Sequence, residues 1–334
     1  MRRRHSSKRG VVAASLLLLA VLGAVLSSGH GPATTTAATA APPAATAAPA
    51  LAAAPIVAAA ARPAGCTTTA RSGDRTLRLR VGAETRTARL HVPRAALGHA
   101  APVVLAFHGA GGSGRFMEGY SGLPGAVDRS GVISVYPDAV GGRWNLDEDV
   151  DGTHGHDLAF TQALLDTVRR RHCVDPRRIS AVGVSNGGGF AARLACAMAG
   201  RLAGVVVVAG GFSLLPECRP ARPVSVLEIH GTADPVVPYA GRPRDNRAGA
   251  VRPWLDGWAR VNGCARVPSE RQVAQRVRRL EWRRCQASSA VAHLRISGGM
   301  HQWPGANPPD AGPAATISAA QEAWAFLASR RSPA

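Results

Sequence analysis

The strongest chemical signal in this 334-residue chain is one serine between two glycines. Residues 183–187 read Gly-Val-Ser-Asn-Gly, with a β-rich run before them and a helix-forming run after them. Glycines at this spacing permit a strained strand-to-helix turn, because side chains there would collide with the backbone. Such a turn presents a hydroxyl at the edge of a sheet, where a neighbouring base can accept its proton. We predict Ser185 as a catalytic nucleophile rather than part of a merely structural turn.

A serine on such a turn requires an acid and then a histidine later in the chain. Asp234 follows an apolar run, and His301 lies in a glycine-bounded loop after the last apolar run. Both positions are at the carboxyl ends of predicted strands, where open sheets of this kind bind ligands. Glu228 and Asp256 are alternative acids, but the first falls within a strand pattern and the second within a helix pattern. We therefore predict a Ser185–Asp234–His301 triad.

Other histidines lie near these motifs. We interpret His230 as packing or bonding within its turn, and His108 as shaping the loop that follows it. His154 and His156 stand near acidic residues and suggest a metal cluster. A solvated loop, followed by a helix that Asp157 caps, explains them better. We predict no metal site and no cofactor.

A glycine-rich loop after an early apolar run can stabilise an oxyanion. In this kind of site one backbone N–H comes from the residue after the nucleophile, here Asn186, and another from such a loop. Residues 108–112 read His-Gly-Ala-Gly-Gly, which leaves Ala110, Gly111 and Gly112 as alternative donors. A phosphate-binding loop is the rival interpretation, but the Lys-Ser/Thr pair that it requires is missing.

Apolar runs and helical spacing predict an α/β fold with a mainly parallel central sheet, an antiparallel pair of N-terminal edge strands, and helices on both faces. The predicted strands are 77–81, 87–92, 103–107, 132–136, 179–184, 205–209, 224–230 and 291–296, and the predicted helices are 157–172, 187–199 and 317–328.

The N-terminal part differs in composition from the rest. Residues 1–28 combine a basic start with an apolar run, which predicts a secretory signal, with an uncleaved membrane anchor as the alternative. Residues 29–64 are rich in Ala, Pro and Thr and contain no aromatic residue, which predicts a disordered linker. Residues 65–334 form the predicted catalytic domain, and the protein is expected to be exported, or associated with the cell envelope, and monomeric.

Six cysteines follow the linker, and an even number in an exported protein predicts disulfides. Cys196 with Cys218 and Cys264 with Cys285 would close short loops and leave Cys66 for Cys173. The formal net charge is +19. This charge comes mainly from scattered arginines, with one cluster at 276–284, and no nucleic-acid-binding module is recognisable, so no nucleic-acid partner is predicted.

Together these motifs resemble a family of secreted esterases over residues 75–324. The family contains polyhydroxybutyrate depolymerases and feruloyl or acetylxylan esterases, and carbohydrate esterase family 1 is related to it. The similar segments are 105–113, 174–179, 183–188, 230–234, 237–239 and 299–305. The resemblance implies an α/β-hydrolase fold and the same triad. This chain differs from the family at two positions. His156 stands where the family usually has an acidic residue, and Met300 stands where it usually has a glycine, so the methionine is expected to narrow the cleft or alter its preference.

The resulting hypothesis is a secreted serine esterase that acts on feruloyl or acetyl esters of polysaccharides, or on 3-hydroxybutyrate polyester or oligomers. Trp144 and Trp303 are candidates for stacking on a sugar or an aromatic acyl group, with core packing as the alternative. An acyltransferase acting on cell-envelope sugars or lipids is a second hypothesis, and a non-catalytic polymer-binding protein is a third.

Overall fold

The computed structural model describes residues 71–146, 156–211, 218–242, 249–310 and 316–332. The predicted signal at 1–28, the predicted linker at 29–64, Cys66 and His154 lie outside these residues.

The described residues form a mixed ten-stranded sheet in the order β1-β2-β4-β3-β5-β6-β7-β10-β9-β8. The strands are β1 (Gly73–Val81), β2 (Glu84–Val92), β3 (Ala101–Phe107), β4 (Ile133–Pro137), β5 (Val174–Val184), β6 (Gly204–Val208), β7 (Ser225–Gly231), β8 (Ser269–Ala274), β9 (Val277–Trp282) and β10 (Val291–Ile296). The six central strands, from β4 to β10 in this order, are parallel. An antiparallel hairpin extends the sheet at each edge.

Helices cover both faces of the sheet. They are α1 (Gly114–Ser121), α2 (Leu123–Val127), α3 (Asp157–Arg171), α4 (Asn186–Ala197), α5 (Val251–Val261) and α6 (Ala319–Leu327). Side chains alternate between two cores, because successive residues of a strand point to opposite faces. Leu105 of β3 belongs to the core beneath α3, α4 and α5. Val104 and Ala106 belong to the core beneath α1, α2 and α6.

This architecture confirms the predicted α/β-hydrolase fold, and every predicted strand and helix is present. The hairpin of β8 and β9 was not predicted, nor were α1 and α2, and α5 was indicated only by the helix pattern around Asp256. Charged residues interrupt the apolar pattern of β9, so the sequence alone indicates only a basic cluster at residues 276–284. In the structure Arg279 forms an ion pair with Glu281, and Arg278 forms one with Glu270. The positive charge of this cluster, which lies on and beside β9, is therefore partly neutralised by glutamates.

Disulfides join Cys196 of α4 to Cys218 before β7, and Cys264 after α5 to Cys285 after β9. Cys173 is also disulfide-bonded; its predicted pairing with Cys66 remains a prediction. Disulfides persist in oxidising compartments, which fits the predicted export. No helix among the described residues has the length and apolar character needed to cross a membrane.

One buried ion pair joins the N-terminal hairpin to α3. Arg86 Nη2 lies 2.6 Å from Asp157 Oδ1, and both side chains are 3% exposed. Asp157 was predicted to cap α3, but His156 is the cap residue and Asp157 lies in the first turn. Its second carboxylate oxygen accepts a hydrogen bond from the Asn145 N–H at 2.9 Å. Burial raises the pKa of the Asp157 carboxyl, although hydrogen bonds from Asn145 and Arg86 oppose this. The cost of removing both charges from water offsets most of their attraction, so the pair adds little net stability. Its main effect is to fix how the hairpin packs against α3.

Replacing Asp157 alone with asparagine should destabilise the fold strongly, because the Arg86 guanidinium would stay buried without a counter-charge. We expect the free energy of unfolding in urea to fall by about 3–5 kcal/mol. The double variant Arg86→Met/Asp157→Leu removes both charges and should lose less than about 1.5 kcal/mol. An equal loss in both variants would contradict this account of the pair.

Candidate active site

Three side chains from distant parts of the chain meet at the carboxyl edge of the sheet. Ser185 lies between β5 and α4, Asp234 lies in the loop after β7, and His301 lies in the loop after β10. The distance from His301 Nε2 to Ser185 Oγ is 2.9 Å, and that from His301 Nδ1 to Asp234 Oδ2 is 2.8 Å. The Asp234 side chain is 0% exposed and that of His301 is 20% exposed. A nucleophile, a base and a buried acid therefore form one continuous hydrogen-bonded series.

The turn at Ser185 is strained. Its backbone has φ 54° and ψ −122°, a conformation that costs roughly 1–3 kcal/mol in a residue other than glycine. A Cβ on Gly183 would lie 2.1 Å from the Gly187 carbonyl oxygen. A Cβ on Gly187 would lie 2.3 Å from the carbonyl oxygens of Phe107 and His108. Both glycines of the motif are therefore required by direct backbone contacts.

Hydrogen bonds fix the Asp234 carboxylate on both of its oxygens. Oδ1 accepts from the backbone N–H groups of Val236 and Val237, each at 2.8 Å. Oδ2 accepts from His301 and also lies 3.2 Å from His230 Nε2. Burial alone would raise the pKa of Asp234, but hydrogen bonds from His230, His301 and Val237 outweigh it and hold that pKa well below its usual range. Asp234 is therefore ionised at neutral pH.

A buried charged cluster behind Asp234 was not predicted. His230 Nδ1 lies 2.6 Å from Glu228 Oε1, and Glu228 Oε2 lies 2.7 Å from His293 Nδ1. All three side chains are 0% exposed. The signal in the sequence is the glutamate itself: a carboxylate within a continuous apolar strand needs buried partners. Residues two apart on a strand share a face, which makes His230 the nearest candidate.

The glycine-rich loop lies against the nucleophile. A Cβ on Gly109 would lie 3.4 Å from the Ser185 Cβ. The Gly111 N–H donates to the Gly142 carbonyl at 2.8 Å, and the Gly112 N–H donates to the Gly109 carbonyl at 3.1 Å. These two groups, predicted as alternative donors, are therefore both engaged, Gly111 by the segment after β4 and Gly112 within its own loop. Of the three predicted donors, Ala110 remains.

The other predicted donor, Asn186, is the first residue of α4, so its N–H has no carbonyl partner within the helix. Its side-chain amide pairs with the backbone of Trp144, accepting from the N–H at 2.7 Å and donating to the carbonyl at 3.0 Å. The Trp144 indole N–H donates to the His108 carbonyl at 3.0 Å. His108 Nε2 accepts from the Ala139 N–H at 3.2 Å, and burial lowers the pKa of His108. This neutral histidine therefore supports the loop.

For Trp144 and Trp303 the structure favours core packing, the alternative to stacking on substrate. Trp144 is 2% exposed and Trp303 is 1% exposed. The Trp144 ring centroid lies 5.1 Å from that of Phe107 and 5.0 Å from that of Phe190. The Trp303 indole N–H donates to the Ser121 carbonyl at 2.9 Å. Both rings therefore belong to the core. Their neighbours come from distant parts of the chain, so a local sequence pattern does not reveal this burial.

One group of potential metal ligands occurs among the described residues, formed by Asp74, His91 and Glu118. It lies on β1, β2 and α1 rather than at the triad. Its members already have ionic partners: His91 contacts Asp74, and Glu118 contacts Arg89. The group therefore has no part in the chemistry of the triad.

Known proteins similar to this chain are esterases. It is 33% identical to NocK of Nocardia uniformis subsp. tsuyamanensis, a protein named as an esterase, over 267 residues that cover 72% of this chain and 76% of that protein. It is 30% identical to feruloyl esterase B of Piromyces equi over 218 residues. That match covers 60% of this chain but only 40% of the second relative.

A structural comparison agrees on the fold. The native crystal structure of pOPH matches with a TM-score of 0.50 and 17% identity, covering 81% of this chain and 90% of that chain. No family model matches the chain. The relationship to NocK and to the feruloyl esterase is the basis for the assignment: the chain belongs to the feruloyl esterase-like family of α/β-hydrolases and is a serine carboxylic ester hydrolase.

Proposed function

We propose that Ser185, His301 and Asp234 hydrolyse carboxylic esters through an acyl-enzyme. The observation that supports this most directly is the pair of hydrogen bonds that His301 makes, at 2.9 Å to Ser185 Oγ and 2.8 Å to Asp234 Oδ2. His301 Nε2 accepts the hydroxyl proton while Ser185 Oγ attacks the ester carbonyl. The ionised, buried Asp234 then stabilises the imidazolium and holds its Nδ1–H toward the carboxylate.

The negative charge on the carbonyl oxygen is stabilised by backbone N–H groups. We assign this role to Asn186 at the start of α4 and to Ala110 in the glycine-rich loop. The second assignment is supported by the hydrogen bonds that already engage Gly111 and Gly112. Each donor of this kind contributes about 3 kcal/mol in the transition state. His301 then protonates the leaving alcohol, and water, activated by the same base, releases the acid.

Replacing Ser185 with alanine should abolish the reaction, since no other group replaces the nucleophile. We expect kcat/KM for p-nitrophenyl acetate, methyl ferulate or acetylated xylan to fall by at least about 1000-fold. Labelling by a fluorophosphonate should also be lost. Ser269→Ala, which changes an exposed serine on the edge strand β8, is the matched control and should retain both. Labelling that persists in Ser185→Ala would contradict the assignment.

For the substrate we propose esters with an aromatic acyl group or a sugar alcohol, contacted by Phe116. Phe116 is 50% exposed and is stacked on Tyr120 with ring centroids 4.8 Å apart. It lies in α1, which begins directly after the glycine-rich loop. The Tyr120 hydroxyl accepts from the Trp303 N–H at 3.3 Å, close to His301 in the chain. Phe116 therefore offers an exposed aromatic surface, which the buried tryptophans do not.

The variant Phe116→Ala should weaken binding of aromatic esters more than of acetate esters, because the stacking surface is removed. We expect KM for methyl ferulate to rise by about 5-fold, corresponding to roughly 1 kcal/mol of aromatic contact, and KM for p-nitrophenyl acetate to change little. Leu97→Ala is the control, since Leu97 is 38% exposed and precedes the opposite end of β3. Equal changes for both esters would exclude a role for Phe116 in acyl selection.

We also propose that this reaction takes place outside the cytoplasm, after removal of residues 1–28. The basic start and apolar run of that segment support export, as do the disulfides of the catalytic domain. When the full chain is expressed in a secreting host, N-terminal sequencing of the protein from the medium should find a new terminus near residue 29. Recovery only of chains that begin at Met1, in the cell fraction, would contradict this.

A further inference from the structure

Asp234 is the first of five polar side chains that contact one another in series. His230 follows Asp234, then Glu228, His293 and finally Tyr239, whose hydroxyl lies 2.9 Å from His293 Nε2. The histidine and glutamate members are 0% exposed. Catalysis by the triad alone does not require such a cluster, and buried charge is costly unless it is paired.

The hydrogen-bond partners of His230 determine where its protons lie. Nε2 lies 2.8 Å from the Val237 carbonyl oxygen and 3.2 Å from Asp234 Oδ2. Because a carbonyl oxygen only accepts, Nε2 must carry a hydrogen. Nδ1 faces Glu228 Oε1 at 2.6 Å, the short distance of a charge-assisted hydrogen bond. Both ring nitrogens therefore donate to acceptors, and two of those acceptors are carboxylates.

Charge balance makes His230 an imidazolium. Burial would lower the pKa of His230, but the charge of Glu228 and hydrogen bonds with Asp234 and Glu228 raise it to about 10. Burial would raise the pKa of Glu228, but His230 and His293 lower it. A positive ring between two buried carboxylates offsets a repulsion that would otherwise drive one of them to take up a proton.

We propose that His230 is a positioning residue for Asp234: a buried imidazolium, neutralised by Glu228, that fixes the Asp234 carboxylate and limits how strongly it holds a proton on His301. This rests on the roles proposed above for Ser185, His301 and Asp234. The positive ring contacts Oδ2, the same oxygen that faces His301. It therefore weakens the negative field of the Asp234 carboxylate at His301.

All groups that face His230 are part of this account. Glu228 lies on β7, Asp234 and the Val237 carbonyl lie in the loop that follows, and the Tyr239 ring centroid lies 6.0 Å away. His293 of β10 lies beyond Glu228, and His301 lies beyond Asp234. Replacing His230 with glutamine removes the positive charge but keeps an amide donor. Whether or not Glu228 stays ionised, the field at His301 becomes more negative.

The test measures the rate of Ser185 labelling by a fluorophosphonate as a function of pH, which requires no particular ester. In His230→Gln the midpoint of the acidic limb should move up by about one pH unit, because His301 retains its proton to higher pH. The double variant Glu228→Gln/His230→Gln, which removes both charges of the His230–Glu228 pair, should shift in the same direction. His172→Gln, at a buried histidine outside the cluster, should leave the midpoint unchanged. A midpoint that stays in place in a folded variant would reduce His230 to core packing and overturn the proposal.

A second measurement uses the wild-type chain and does not depend on the stability of a variant. Nitrogen NMR of histidine-labelled protein should find both His230 ring nitrogens protonated at pH 8, and a neutral His230 ring at that pH would overturn the proposal. Failure of the proposed function gives a different pattern. If the wild type is labelled but hydrolyses none of the esters, the substrate assignment fails while the labelling profile still tests His230. If it is not labelled, the nucleophile assignment fails and the NMR measurement decides.

Discussion

The site depends on one strained backbone conformation that the sheet maintains. The Ser185 N–H donates to the Val208 carbonyl of β6, and its carbonyl accepts from the N–H groups of Gly189 and Gly211. These bonds connect the strained residue to a neighbouring strand, to the following helix and to the loop after β6, so relaxing it would break several of them together. Strain of this kind persists only where the surrounding structure over-determines the conformation. The strand order β5-β6-β7-β10 then brings the loops of Asp234 and His301 to the same edge.

Much of this arrangement follows from local patterns, and therefore could be predicted from the sequence. Continuous apolar runs mark strands that are buried on both faces, as in β3 and β6. The glycine spacing around Ser185 marks the turn, and the chain order of serine, acid and histidine together with a position just beyond a strand selects Asp234 and His301. Each of these signals lies within a few residues of the feature that it predicts.

What could not be predicted depends on contacts between distant segments. Whether Trp303 faces substrate or core depends on Ser121, far earlier in the chain. Whether the Gly111 N–H is available depends on the Gly142 carbonyl. The role of Glu228 is hard to predict for a different reason: a position within a strand argues against a triad acid, although burial of a carboxylate is itself a sign that partners exist.

The unpredicted hairpin of β8 and β9 also has a consequence for whether copies of the protein aggregate at high concentration. An outermost strand has unpaired backbone groups that can add a strand from another chain. In β8 residues 269–272 read Ser-Glu-Arg-Gln and are all exposed, while the opposite outermost strand presents Arg75, Arg78 and Arg80. Charged side chains along both rims oppose sheet-to-sheet growth, because a second strand could not approach without desolvating them. The arginine-rich composition thus protects a wide, open sheet against aggregation.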